Sequence, residues 1–211
     1  MKVLVIGTGE SAGEQVIKQL EGTPHHTMAI VNHENRMQDV RELGAEEAIL
    51  AEDGELTDVF PDSDAIVYVA GASPRTGEGK TTLVDHTAII KAVKEAKRKN
   101  INRFVLLSAV RASETEERNT ELTGAKEEPE ELLRQEGFTY TIIRPGLLVN
   151  KPGKGKVEAE IASVTQTVKG EVSIEDAAQA LVQALENKTT YNKTIELTTG
   201  DTPIEKALHS L

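Results

Sequence analysis

Short apolar segments alternate along this chain with longer segments in which apolar residues recur every three or four positions. The short segments predict strands, and the longer ones predict helices with one buried face. Several short segments, such as residues 65–70, are apolar throughout, which is typical of parallel strands buried on both sides. The predicted strands comprise residues 3–6, 28–31, 48–50, 65–70, 103–108, 140–146 and 193–198.

Helices are predicted between these strands, and two of them have recognisable starts. Ser173 with Asp176 three residues later forms a capping box, and Thr202 followed by Pro203 supplies an N-cap residue and a proline at the first helical position. Strand–helix pairs of about 20 to 30 residues predict one Rossmann-like α/β domain. It would be a doubly wound parallel sheet of about seven strands, with helices on both faces and a ligand cleft at the carboxyl ends of the strands.

A glycine-rich loop joins the first strand to the first helix. Gly7, Gly9 and Ala12 satisfy the dinucleotide-binding pattern G-x-G-x-x-[G/A], and Gly7 with Gly13 fits a wider glycine spacing. In such loops the backbone turns sharply and approaches a pyrophosphate at a helix N-terminus. The candidate cofactor contacts in this loop are Gly7, Thr8, Gly9, Glu10, Ser11, Ala12 and Gly13.

Further candidate residues follow the other predicted strands, so they converge on the same edge of the sheet. The cofactor candidates among them are Asn32, Arg36, Ala70, Gly71, Ala72, Pro145 and Gly146, and Ser108 is a candidate catalytic residue. An acid about 20 residues past the glycine loop favours NAD, whereas an arginine there favours NADP. Glu34 and Arg36 are both within reach of this position, so the preference between the two cofactors stays open.

Composition narrows the classes of function. The net charge of −11 argues against binding to nucleic acid or to an anionic membrane surface. No segment approaches the roughly 20 apolar residues that span a bilayer, and a chain without cysteine suits a reducing cytoplasm. The five histidines have no metal-ligand spacing. We therefore expect a cytoplasmic monomer or homodimer whose partners are a dinucleotide and a small acceptor molecule.

The chain resembles the atypical short-chain dehydrogenases/reductases, of the bacterial NAD(P)H-binding type related to nitrogen-metabolite-repression regulators and to biliverdin/flavin reductases. The resemblance covers nearly the whole chain. It rests on the glycine loop, on Ala70-Gly71 with Thr76-Gly77 and Lys80-Thr81, and on segments 103–108, 140–146 and 200–205. It implies that the glycine loop holds the pyrophosphate of NAD or NADP, that residues 70–72 line the adenosine side, and that Ser108 with Pro145 and Gly146 borders the nicotinamide.

The chain departs from the family pattern at three places. Glu10 replaces the middle glycine of the loop, where a carboxylate facing a phosphate would cost on the order of 3 kcal/mol. Asn32 stands where the family commonly has arginine. Leu122 replaces the tyrosine of the Tyr-x-x-x-Lys pair, whose lysine is retained as Lys126, the second candidate catalytic residue beside Ser108. Leucine cannot transfer a proton, so Lys126 is either a contact to the cofactor ribose or a solvated charge.

Three hypotheses stay open from the sequence. The first is a reductase that passes hydride from NAD(P)H to a flavin- or quinone-like acceptor without a catalytic tyrosine. The second is a dinucleotide-binding redox sensor or regulator, and the third is a fold that no longer binds cofactor. In each case we expect a small substrate-side portion, formed by residues 111–126 and 147–175.

Overall fold

The computed structural model describes residues 1–9, 11–70, 81–108, 129–162 and 168–211. Its strands are β1 Lys2–Ile6, β2 His26–Val31, β3 Glu47–Leu50, β4 Ala65–Val69, β5 Arg103–Leu107, β6 Thr139–Pro145, β7 Leu147–Val149, β8 Lys156–Ile161, β9 Glu171–Ser173, β10 Lys193–Thr199 and β11 Thr202–Pro203. Its α-helices are α1 Ser11–Leu20, α2 Arg36–Glu42, α3 Thr81–Arg98, α4 Pro129–Gln135, α5 Ile174–Ala184 and α6 Ile204–His209. Short 3-10 helices cover Glu52–Gly54 and Lys188–Thr190.

A nine-stranded sheet runs through the described part of the chain, in the order β11-β8-β10-β6-β5-β4-β1-β2-β3. The seven strands from β10 to β3 are parallel to one another, and they correspond to the seven strands predicted from the sequence. The predicted Rossmann-like α/β class is confirmed. The predicted count of about seven strands is too low, because β8 and β11 extend one edge antiparallel to their neighbours and β7 pairs with β9 in a second small sheet.

The two faces of the sheet carry separate hydrophobic clusters. In β1, Val3 and Val5 belong to the cluster that includes buried residues of α1 and α5, while Leu4 and Ile6 belong to the cluster that includes buried residues of α3 and α4. Successive side chains of a strand point to opposite faces, so a strand covered on both sides needs apolar residues throughout. This requirement explains why β1, β4 and β5, at the centre of the sheet, consist almost entirely of apolar residues.

The two predicted helix starts have different outcomes. The Ser173 hydroxyl accepts a hydrogen bond of 3.0 Å from the main-chain N–H of Asp176, which confirms the cap of α5. Thr202 is not the N-cap of the last helix, because it pairs with Val157 in the β11–β8 ladder. Pro203 occupies the capping position instead and offers no side-chain hydrogen bond.

A buried arginine connects the sheet to the end of α5, on the side of the sheet opposite the predicted cleft. Arg103, at the start of β5, is 6% exposed. Its guanidinium donates to the carbonyl oxygens of Ala184 (2.6 Å) and Leu185 (3.0 Å) and to the Thr141 hydroxyl (2.8 Å). It also lies 4.5 Å from the centre of the Tyr191 ring. Burial lowers the pKa of Arg103 to about 10, so the group stays charged at neutral pH and fastens the end of α5 to the sheet.

None of the helices that the structure describes combines the length and the apolar character needed to cross a bilayer.

Candidate functional site

The carboxyl ends of the parallel strands bring the predicted site residues to one edge of the sheet. Gly7 follows β1, Asn32 follows β2 and Ala70 follows β4. Ser108 follows β5, and its main-chain N–H donates to Ile143 in β6. Pro145 ends β6 and Gly146 follows it, and the Gly146 N–H donates to the carbonyl of Leu197 in β10. Residues far apart in sequence therefore border one region, as the strand pattern predicted.

Two glycines make the loop after β1 possible. Gly7 has a φ of +91°, and a Cβ atom added there would lie 2.1 Å from the carbonyl oxygen of Val69. A Cβ on Gly13 would lie 2.3 Å from the carbonyl oxygen of Gly7, so α1 packs directly against the loop backbone. Ala12, in contrast, buries its methyl group in the hydrophobic core. The close packing therefore follows the wider spacing of Gly7 and Gly13, not the spacing that ends at Ala12.

The remaining loop residues have distinct roles. Thr8 is buried, and its hydroxyl donates a 2.6 Å hydrogen bond to the carbonyl of Ile30, which ties the loop to β2. A Cβ on Gly9 would meet no described atom within 4 Å. Ser11 is exposed at the first residue of α1. The predicted residues Glu10, Gly71, Ala72 and Lys126, and the departure at Leu122, lie outside the described residues.

The described part of this loop combines features that suit the binding of a dinucleotide pyrophosphate. Its path depends on backbone contacts at Gly7 and Gly13, and the described atoms leave space beside Gly9. The first N–H groups of α1 have no partners within the helix and carry the positive end of its dipole. Anions bind favourably at such a helix start.

An ion pair between Arg36 and Glu14 lies beside the glycine loop. Arg36 is one of the two residues that left the preference between NAD and NADP open in the sequence. Arg36 donates to Glu14 at 2.5 Å, to Asp39 at 2.7 Å and, more weakly, to the carbonyl of Thr8 at 3.5 Å. The hydrogen bond to Glu14, with the nearby negative charges, raises the pKa of Arg36 although partial burial opposes this. Asn32 is exposed just past the end of β2. Neither Glu14 nor its contact with Arg36 was predicted.

A second charged cluster surrounds Ser108. The Ser108 hydroxyl donates to Glu130 at 2.7 Å, and Glu130 also accepts from Arg144 at 2.7 Å and from Arg134 at 2.9 Å. Burial on its own would raise the pKa of Glu130, but the hydrogen bonds from Arg144 and Ser108 and the arginine charges lower it below its ordinary value. The hydrogen bond to Glu130 correspondingly raises the pKa of Arg144. Glu130 is therefore a carboxylate at neutral pH.

The Glu130 cluster was missed by sequence reasoning, although part of it had a local signal. Glu130 and Arg134 are four residues apart on α4, which is the spacing of a helical ion pair. Arg144 is 14 residues from Glu130 and meets it only because β6 passes beside α4. No local rule connects those two positions.

An open cleft of about 320 Å³ begins at Ser11, where α1 starts. Gln15 lines it from the same helix, and Ile174 and Glu175 line it from the start of α5. The segment 150–152, after β7, completes the lining. Ser11 is the predicted cofactor contact that lines this cleft, and Gln15 is an addition from the structure. The other lining residues fall within segment 147–175, which the sequence analysis assigned to the substrate side. Within the described ranges, no group of three or more His, Asp or Glu side chains could hold a metal ion.

Known proteins are similar to this chain in sequence and in fold. The sequence profile of the NAD(P)H-binding family matches residues 7–188. The chain is 35% identical to an uncharacterized sugar epimerase of Bacillus subtilis over the full length of both proteins. It is also similar to the structure of a candidate NAD-dependent epimerase/dehydratase from Bacillus halodurans, with 31% identity, complete coverage of both chains and a TM-score of 0.85. A candidate NADH-flavin reductase from Streptococcus pneumoniae shares the fold at 20% identity, with 95% of this chain and 100% of that chain covered and a TM-score of 0.66.

Proposed function

The chain belongs to the NAD(P)H-binding family, and we propose that it is an NAD(P)H-dependent reductase that passes hydride to a flavin- or quinone-like acceptor. The observation that carries the proposal is the loop between β1 and α1. Its packing depends on the absence of side chains at Gly7 and Gly13, and its described surroundings leave space at Gly9, in front of a helix start. The two glycines allow the tight turn and the close helix packing that dinucleotide-binding loops have, and the open side at Gly9 suits the approach of a pyrophosphate to the backbone.

The residues that would hold the cofactor follow from their places at the edge of the sheet. Main-chain groups of the glycine loop and of Ser11 would contact the pyrophosphate, since the Thr8 hydroxyl is already engaged with Ile30. Asn32 and Arg36 would border the adenosine ribose, and Lys126 stays a predicted contact to the cofactor ribose, with a solvated charge as the alternative. Residues 70–72 would line the adenosine side, and Pro145 with Gly146 would border the nicotinamide. The bound reduced nicotinamide supplies the hydride.

The chemistry around Ser108 favours an acceptor that takes its proton from water. Ser108 directs its hydroxyl hydrogen to Glu130, and the lowered pKa of Glu130 leaves that side chain without a proton to donate. The resemblance puts Leu122 where the family has its acid–base tyrosine, and leucine has no exchangeable proton. Flavins and quinones accept hydride directly, so they need no such tyrosine.

The Bacillus subtilis relative is named as a sugar epimerase, but we do not extend that activity to this chain. Abstraction of a proton from a sugar carbon, or hydride transfer at a sugar alcohol, requires a positioned acid–base group. Leu122 removes the tyrosine that the resemblance would supply, and Ser108 is held by Glu130.

We also propose that segments 111–126 and 147–175 form the acceptor side of a single domain. Asn150, Lys151 and Pro152 line the cleft that begins at Ser11, which supports this assignment for the second segment.

Titration with NADH and NADPH, followed by fluorescence of the reduced cofactor, tests the proposal. We expect binding of at least one cofactor at submillimolar concentration, and oxidation of the bound cofactor when FMN or menadione is added. Binding without acceptor-dependent oxidation would refute the reductase activity and favour a dinucleotide-binding regulator. No binding of either cofactor at millimolar concentration would refute both.

The Glu10→Gly variant tests the carboxylate in the loop directly. If Glu10 faces the phosphates, its removal should raise cofactor affinity by up to about two orders of magnitude. An unchanged dissociation constant would mean that the Glu10 carboxylate does not face a phosphate. The electrostatic argument against cofactor binding would then no longer apply.

A further inference from the structure

The ion pair beside the glycine loop bears on which dinucleotide the protein takes. We propose that Glu14 is a positioning residue for Arg36 and makes the protein selective for NADH over NADPH. This inference rests on the proposed cofactor binding. It assigns a specificity role to a helix residue that the sequence pattern did not single out.

Arg36 is placed where a cation would normally favour NADP. It is 23 residues past Gly13, and its guanidinium lies 3.5 Å from the carbonyl oxygen of Thr8 in the glycine loop. In dinucleotide-binding folds, the region past the second strand lies beside the adenosine ribose, and an arginine there accommodates the 2′-phosphate. Arg36 taken alone would therefore predict a preference for NADPH.

Two carboxylates already occupy the guanidinium. Nη2 of Arg36 donates to Oε1 of Glu14 at 2.5 Å, and Nη1 donates to Oδ2 of Asp39 at 2.7 Å. The side chains of Arg36 and Glu14 are 31% and 33% exposed, so water screens their attraction less than it would screen a fully exposed pair. Both terminal nitrogens are thus held by the protein before any ligand arrives.

The local charge disfavours a phosphate and tolerates a hydroxyl. One guanidinium with two carboxylates sums to −1, whereas the 2′-phosphate of NADPH adds further negative charge. The ribose hydroxyl of NADH is neutral and can donate a hydrogen bond to a carboxylate, which is how an acid at this place favours NAD. Asn32, at the end of β2, adds no positive charge to the region.

Dissociation constants for NADH and NADPH, measured by cofactor fluorescence in the wild type and in Glu14→Gln, test the inference. We expect the wild type to bind NADPH at least about tenfold more weakly than NADH. Glu14→Gln should narrow this ratio by about tenfold, mainly through tighter NADPH binding, because glutamine keeps the shape of the side chain and removes its charge. The double variant Glu14→Gln/Arg36→Gln should lose that gain, because the released guanidinium is what would bind the phosphate.

Glu136→Gln is the matched control. It removes the same charge from a residue that follows α4 at the opposite edge of the sheet, where Glu136 pairs with Lys97. Its NADPH-to-NADH ratio should equal that of the wild type, and thermal unfolding of each variant establishes that it is folded.

The outcomes separate this inference from the proposed function. Equal binding of the two cofactors, tighter binding of NADPH by the wild type, or an equal change for both cofactors in Glu14→Gln would overturn the role of Glu14 and leave cofactor binding intact. Binding of neither cofactor by the wild type would refute the proposed function, and the inference would fall with it.

Discussion

Substitution of the loop glycines by alanine separates the packing of the loop from its use as a binding surface. A Cβ at position 13 would lie 2.3 Å from the Gly7 carbonyl oxygen and 2.9 Å from its carbon, about 1 Å short of a tolerable contact. The obstructing atoms belong to the backbone, so α1 and the loop must move apart. Such overpacking costs about 1–3 kcal/mol, and alanine recovers up to about 1 kcal/mol of helix propensity.

We therefore expect Gly13→Ala to lower the free energy of unfolding by about 1–2 kcal/mol. For a domain of this size, the melting temperature should fall by about 2–8 °C. Gly9→Ala is the matched control, because its added methyl group would meet no described atom within 4 Å and Gly9 does not need a positive φ. Its stability should stay within about 0.5 kcal/mol of the wild type.

Both variants should bind the cofactor more weakly than the wild type, but only Gly13→Ala should be less stable. Gly13→Ala displaces the loop backbone, and Gly9→Ala fills space that the proposed ligand would use, so both should weaken NADH binding in a fluorescence titration. Urea denaturation followed by circular dichroism supplies the stabilities. A Gly13→Ala protein as stable as the wild type would refute the packing argument. An unchanged affinity in Gly9→Ala would show that the open side of the loop is not the binding surface.

Three further substitutions test polar groups that are buried or partly buried. Arg103→Lys keeps the positive charge but removes the planar set of hydrogen-bond donors. We therefore expect the free energy of unfolding, measured by urea denaturation, to fall by about 2–4 kcal/mol. Wild-type stability would contradict the role of the guanidinium. Because the pKa of Glu130 is lowered in the folded protein, its negative charge stabilises the fold at pH values above 4.5, the ordinary pKa of the group. This stabilisation is lost as the pH falls through the lowered pKa. The melting temperatures of Glu130→Gln and the wild type should therefore differ by several degrees at pH 7 and converge as the pH falls below 4.5 and through the lowered pKa of Glu130. A difference that does not change with pH would contradict this. The Asp176 carboxylate accepts hydrogen bonds from the main-chain N–H groups of Lys154 and Gly155. Asp176→Asn should therefore lower the free energy of unfolding by about 1–3 kcal/mol and speed hydrogen exchange at those two amides. Unchanged exchange would show that Asp176 does not hold this segment.

The class of fold and the location of the candidate site follow from local patterns. Strands buried on both faces must be largely apolar, so the central strands β1, β4 and β5 were predicted from nearly continuous runs of apolar residues. The order of the elements along the chain then places the ends of those strands at one edge. The strand β8 was missed because it lies near the edge of the sheet, where Glu158 and Glu160 are exposed and interrupt the apolar pattern.

The sequence by itself therefore determined the layers of the fold and the edge at which function is expected, because both depend on periodicity and on element order. The tertiary structure decided which side chains meet there. Gly13 lies against Gly7, Thr8 is tied to Ile30, Glu14 holds Arg36 over 22 residues of chain, and Ser108 shares Glu130 with Arg144. These contacts depend on how helices and loops pack against the sheet. They in turn determine the charge and the protonation states of the groups at the site. The sequence marked Gly7 and Gly13 by their spacing, but it gave no sign that Glu14 pairs with Arg36 or Glu130 with Arg144, since each of these residues taken alone is an ordinary charged residue.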